Sequence, residues 1–276
     1  MSILTVNSAI GTAIPTFLAD SKNEQALATK WARGNGQMQS DIAHFQTQAP
    51  KLTSVNALMK DYRSLKIVLG AYNVAGLLSY PALTRQLLTQ DASAASSTAQ
   101  KIGNPSYIAF ANAFKQFQNN PLASSANVAT VVTSYVTNSF EAAQNTQTPG
   151  MQNALTFNRT ASQITSITQL MTNTPALTVA VAQTGINFTT YANMSYDQQV
   201  TFLTKKITLS NFQNPAKVTK MAEQYLIQAV QDPTAWGASN ANTNTVVSLL
   251  GGGSDTSELS LFGVSSSTNP VLSLFA

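Results

Sequence analysis

The chain is 276 residues long, enough for one large domain or two smaller ones. Only 9% of it is charged, against roughly 25% in ordinary soluble proteins, and 33 Thr, 28 Ser, 23 Asn and 22 Gln supply the polar surface instead. The absence of cysteine excludes disulfides, thiolate metal sites and cysteine nucleophiles, and a scattered net charge of +4 makes a field too weak to nominate nucleic acid as a partner.

Residues 1–19 are mildly apolar, interrupted by Thr5, Asn7, Ser8, Thr12 and Pro15, with no Lys or Arg before Lys22. A Sec-type signal needs a basic start and an unbroken apolar core, so this stretch is expected to be an export or docking lead. No window approaches twenty continuous apolar residues, and no membrane span is expected. From Ser21 to Gln48 the pattern is helical, with a bend at Gly34-Asn35-Gly36. Ser54 caps a short helix bearing Leu58-Met59, and Asp61 caps the next, with Tyr62, Leu65, Val68, Leu69 and Tyr72 at helical spacing behind it. Tyr80-Pro81 opens a segment with Leu83, Leu87 and Leu88. Asn104-Pro105 opens another, whose Tyr107, Phe110, Phe114 and Phe117 form one core-facing stripe. Residues 126–160 read as two helices around Thr148-Pro149-Gly150. Ser166 and Asn173 are then the expected caps, with Pro175 in the first turn, followed by starts at Ser195-Tyr196 and Asn214-Pro215. Period-two alternation is missing throughout, so the fold class is all-α.

The same signals come twice. Leu52-Thr53-Ser54-Val55-Asn56-Ala57-Leu58-Met59 runs over Ile164-Thr165-Ser166-Ile167-Thr168-Gln169-Leu170-Met171 at an offset of 112, and Asn104-Pro105 over Asn214-Pro215 at 110. This predicts an internally duplicated multi-helix domain: repeat one over residues 20–118, repeat two over 122–231, and a join at Asn119-Asn120-Pro121 too short to hold the halves apart. Each half alone has a thin core, so the two are expected to pack as one body between flexible N- and C-terminal tails. The C-terminal tail, 232–276, is rich in Ser, Gly and Asn. It repeats Leu259-Ser260-Leu261-Phe262 as Leu272-Ser273-Leu274-Phe275. Two readings stand: incidental apolar residues in a disordered tail, or paired docking motifs that order on a partner through Leu259, Leu261, Phe262, Leu272, Leu274 and Phe275.

Chemistry is sparse. The single histidine, His44, has only Asp41 nearby and reads as a helix-surface residue. Asp20 and Glu24 can share a helix face and read as acids near the positive end of the first helix. No Gly-x-Ser-x-Gly elbow occurs, and Gly251-Gly252-Gly253 lacks the Lys-Ser or Lys-Thr of a phosphate loop. Lys60, Arg63 and Lys66, and Lys217 and Lys220 beside Lys205-Lys206, read as solvated faces. No catalytic, cofactor or metal site, and no small-molecule ligand, is expected. An enzyme acting on cell-wall glycan would need paired carboxylates, for which Glu141 and Glu223 are the obvious positions.

The run from Leu52 to Val74, the segments Phe140-Glu141-Ala142-Ala143 and Met151 to Arg159, and Leu170 to Val179 resemble the signatures of a bacterial family of unknown function, domain of unknown function 1217. Gly185 here stands where the first half has Asn73, and Ala182 where it has Gly70. The resemblance implies an all-helical domain encoded among flagellar genes, with no assigned enzymatic activity. The expected function is therefore a non-enzymatic, flagellum-associated structural or assembly protein acting on other proteins, either flagellar components or copies of itself. Its expected location is the flagellum or cell exterior, reached without a Sec signal. The alternative is a cytoplasmic export chaperone or regulator of flagellar assembly.

Overall fold

Helix starts in this chain are set by short polar side chains that accept a hydrogen bond from an otherwise free first-turn amide, each worth about 1 kcal/mol. In a computed structural model of the protein, residues 3–102, 104–118 and 120–236 are described, and they form fifteen α-helices and five short 3-10 turns with no strand among them. The first half contains α1 (Ile3–Lys22), α2 (Glu24–Arg33), α3 (Gly36–Gln48), α4 (Val55–Lys60), α5 (Tyr62–Ala71), α6 (Pro81–Thr89), α7 (Thr98–Ile102) and α8 (Pro105–Phe114). The second contains α9 (Ser125–Gln147), α10 (Met151–Thr160), α11 (Ile167–Met171), α12 (Thr174–Ala182), α13 (Phe188–Ala192), α14 (Tyr196–Lys206) and α15 (Pro215–Gln231).

The expected caps do the expected work. Ser54 accepts from the Ala57 amide, Asp61 from Ser64, Asn104 from Tyr107, Ser166 from Gln169, Asn173 from Ala176 and Asn214 from Lys217, all at 3.1–3.2 Å. Ser195 and Gln198 close a reciprocal capping box at the start of α14. The bends fall at Gly34-Asn35, between α2 and α3, and at Thr148-Pro149-Gly150, between α9 and α10. After α5 the chain turns through Asn73 at φ 57°, and after α12 through Gly185 at φ 82°; Asn and Gly are the residues that tolerate this left-handed turn.

One hydrophobic core runs through both halves, holding Phe45, Leu58, Ile67 and Phe110 from the first and Phe157, Leu170, Phe212 and Tyr225 from the second. Each half lends a helix to the other. α9 lies against α2 and α5, while α1 crosses to α10 and α15. The α5–α9 crossing is close because Gly70 has no side chain: a Cβ there would meet Tyr135 Cδ2 at 2.7 Å. Asn138 of α9 completes the contact, its Nδ2 donating to the Gly70 and Ala71 carbonyls at 3.0 and 2.9 Å. In the second half Gln228 of α15 donates likewise to the Ala182 carbonyl at the end of α12. Gly150, at φ 88°, starts α10 where an added Cβ would meet Ala229 at 2.5 Å, so this position requires glycine on two grounds.

The N-terminal lead forms α1. It is helical from Ile3, and Ala13 and Phe17 are fully buried with Ile10, Ile14 and Leu18 packed on the core. These five positions form an i, i+3, i+4, i+7, i+8 stripe, and the residues that disguised it, Gly11, Thr12 and Pro15, face solvent. At the other end Trp236 is buried edge-on against Tyr225, so the body continues beyond residue 232.

Candidate functional site

Among the described residues the ion pairs fall in two clusters. The first is a seam between α3 and α5. Asp41, buried on α3, binds Arg63 Nε at 2.8 Å and Gln37 Nε2 at 2.9 Å through Oδ1, and Lys66 Nζ at 3.2 Å through Oδ2. Burial alone would raise its pKa, but the hydrogen bonds from Arg63, Lys66 and Gln37 outweigh burial and hold it below the usual carboxylate range. One turn further along α3, His44 Nε2 sits 2.8 Å from Asp61 Oδ2. Asp61 thus caps α5 and anchors α3 at once. Its pKa too is depressed, burial being outweighed by hydrogen bonds from Ser64 and His44. The basic stripe read as a solvated face is therefore divided: Lys60 is exposed, whereas Arg63 and Lys66 are tied to a buried acid. His44 is not a free surface residue either. Its partner lies on the next helix hairpin, 17 residues away.

The second cluster joins the halves. Glu141, on the inner face of α9, has a fully buried side chain. Its Oε1 accepts from Arg159 of α10 at 2.6 Å and its Oε2 from Thr156 Oγ1 at 2.7 Å. Arg159 also reaches Glu24 in the first turn of α2, Nε to Oε2 at 3.3 Å. Glu24 is one-tenth exposed, and its other oxygen, Oε1, is buried without a hydrogen-bond partner. Burial, then the neighbouring Glu141 carboxylate, push its pKa up to about 8 against the opposing pull of Arg159. A proton on Glu24 is thus favoured near neutral pH. Asp20, expected beside Glu24 at a helix start, instead closes α1 with Oδ2 buried and unpartnered, and burial raises its pKa.

This arrangement brings together residues that the sequence kept apart. Glu141, one of the two positions considered for glycan chemistry, is paired with Glu24 and not with Glu223. The two carboxylates are joined through Arg159, which bonds both. No group of three or more His, Asp or Glu suited to a metal occurs among the described residues. No helix there is long and apolar enough to cross a membrane. The docking residues Leu259, Leu261, Phe262, Leu272, Leu274 and Phe275 lie outside the described residues.

Fold and clusters together define an all-helical, single-core protein whose buried charges fasten helices to one another. The chain belongs to the family described as protein of unknown function, DUF1217, whose sequence model matches residues 71–218. The match takes in the Phe140–Arg159 and Leu170–Val179 segments and only the end of the Leu52–Val74 run. Protein AGR_C_984 from Agrobacterium tumefaciens, solved by X-ray crystallography, has the same fold, with a TM-score of 0.64 at 20% identity over 80% of this chain and 95% of that one. No curated protein matches.

Proposed function

We propose that the protein is a non-enzymatic structural or assembly component of the bacterial flagellum, built by internal duplication and acting through contacts with flagellar components or copies of itself. The observation that carries the contact role is how charge and polarity are distributed. The buried carboxylates Asp41 and Glu141 and the half-buried Asp61 all bind side chains of other helices. Exposed charges such as Lys30, Lys51, Lys205 and Lys217 are scattered over the outside. Thr, Ser, Asn and Gln supply most of the polar residues of a chain only 9% charged, which keeps like-charge repulsion between close neighbours low. Among the described residues Tyr62, Tyr80 and Tyr196 are the large apolar side chains exposed on the outside, and tyrosine, flat and amphipathic, is enriched at protein interfaces. Duplication is supported by the matching caps Ser54 and Ser166, Asp61 and Asn173, and Asn104 and Asn214. The flagellar setting rests on the family resemblance and on the cysteine-free, low-charge composition. Deletion of the gene, followed by a swimming assay and filament counts, tests it. Impaired motility or defective appendages are expected, and normal swimming with intact filaments would contradict the proposal.

A further inference from the structure

Two carboxyls sharing one guanidinium in a buried contact cannot both ionise without leaving a charge uncompensated. Glu24 comes from α2, Glu141 from α9 and Arg159 from α10, so the cluster sits where the first half meets the second. We propose that Glu24, Glu141 and Arg159 form a proton-gated latch that fastens α2 to α9 and α10, closed while the two carboxyls share a proton and slackened when that proton is lost.

The surroundings leave the proton little competition. Among the elements packed on α2, α9 contributes Glu141 and the edge-on contact of Phe140 with Trp31, ring centroids 6.2 Å apart. α10 contributes Arg159 and the uncharged Thr156. α1 ends in Asp20 and Lys22 just before Glu24, and the nearest acid of α3, Asp41, is already held by Arg63 and Lys66. Among the described residues Arg159 is the one cation bonded to the two carboxyls, and Glu24 Oε1 is buried with no hydrogen-bond partner. Opening the latch returns Glu24 to water and to its ordinary value of 4.5, against about 8 when closed. The sign follows: the closed state holds the proton more tightly, so it is fully favoured below pH 4.5, loses ground as pH rises, and loses no more above about 8.

Amide hydrogen exchange of the full-length protein, corrected for the intrinsic pH dependence, reads this directly. The opening constant of the α2 amides should rise by up to about tenfold per pH unit between pH 5.5 and 7.5 and level off above 8, the limit for one proton. The α12 amides, on a helix buried along its length, should not follow. In Glu24→Gln, which keeps the shape and a donor for Glu141, the α2 amides should be independent of pH. Unchanged α2 protection between pH 5.5 and 7.5 in the natural protein would overturn the latch. So would an equal rise in α12, or the same rise in the variant. The first two outcomes need no variant and stand even if Glu24→Gln fails to fold.

Discussion

Gly70→Ala is the most pointed perturbation of the interface between the halves. In an isolated helix the change would stabilise by up to about 1 kcal/mol, because alanine loses less backbone freedom. Here the new Cβ would lie 2.7 Å from Tyr135 Cδ2 and 2.9 Å from Cε2, and Tyr135 is buried on α9 with little room to turn. Separating α5 from α9 by a few tenths of an ångström would also stretch both Asn138 bonds. Overpacking of this kind costs about 1–3 kcal/mol, so the clash outweighs the propensity gain, and a net loss of about 1–2 kcal/mol is expected. Urea denaturation at pH 7 measures it. Repeating the substitution in a Tyr135→Val background removes the ring atoms, and there Gly70→Ala should become neutral or stabilising. A stabilised single variant, or the same loss in both backgrounds, would refute the packing argument.

Phe17→Ala should cost about 3–5 kcal/mol by urea denaturation, as for a fully buried ring, and a negligible effect would show that α1 is dispensable to the core. Asp61→Ala should lose the α5 cap, about 1 kcal/mol, together with the His44 contact, whereas Asp61→Asn should retain most of the cap; equal losses in the two variants would dissociate the cap from stability. Because Asp41 and Asp61 have depressed pKa values, their contribution is present above about pH 4 and disappears as pH falls through their folded values. Acid titration of stability should therefore be shallower in Asp41→Asn than in the natural protein, and an identical acid limb would contradict the assignment.

Much of the fold was legible because its signals are local. Ser54, Asp61, Asn104, Ser166, Asn173 and Asn214 each bond an amide three residues on, a distance that a single sequence exposes. The stripe of Tyr107, Phe110, Phe114 and Phe117 was readable for the same reason, and its three phenylalanines are buried. What was not legible is long-range. The Glu24–Glu141–Arg159 cluster joins three helices, and no spacing rule links them. His44 looked isolated because its partner Asp61 was already accounted for as a cap. The burial of α1 was hidden by Pro15 and its polar neighbours, which interrupt the sequence but lie on the solvent side of the helix.

The role as an assembly component is tested most directly by fractionating motile cells and probing sheared, purified appendages for this chain. The protein is expected to be enriched in the appendage or basal-body fraction and to stay there through washes that remove cytosolic markers. Recovery wholly in the cytosol, from cells that carry complete flagella, would contradict an axial or structural role and favour the export-chaperone alternative.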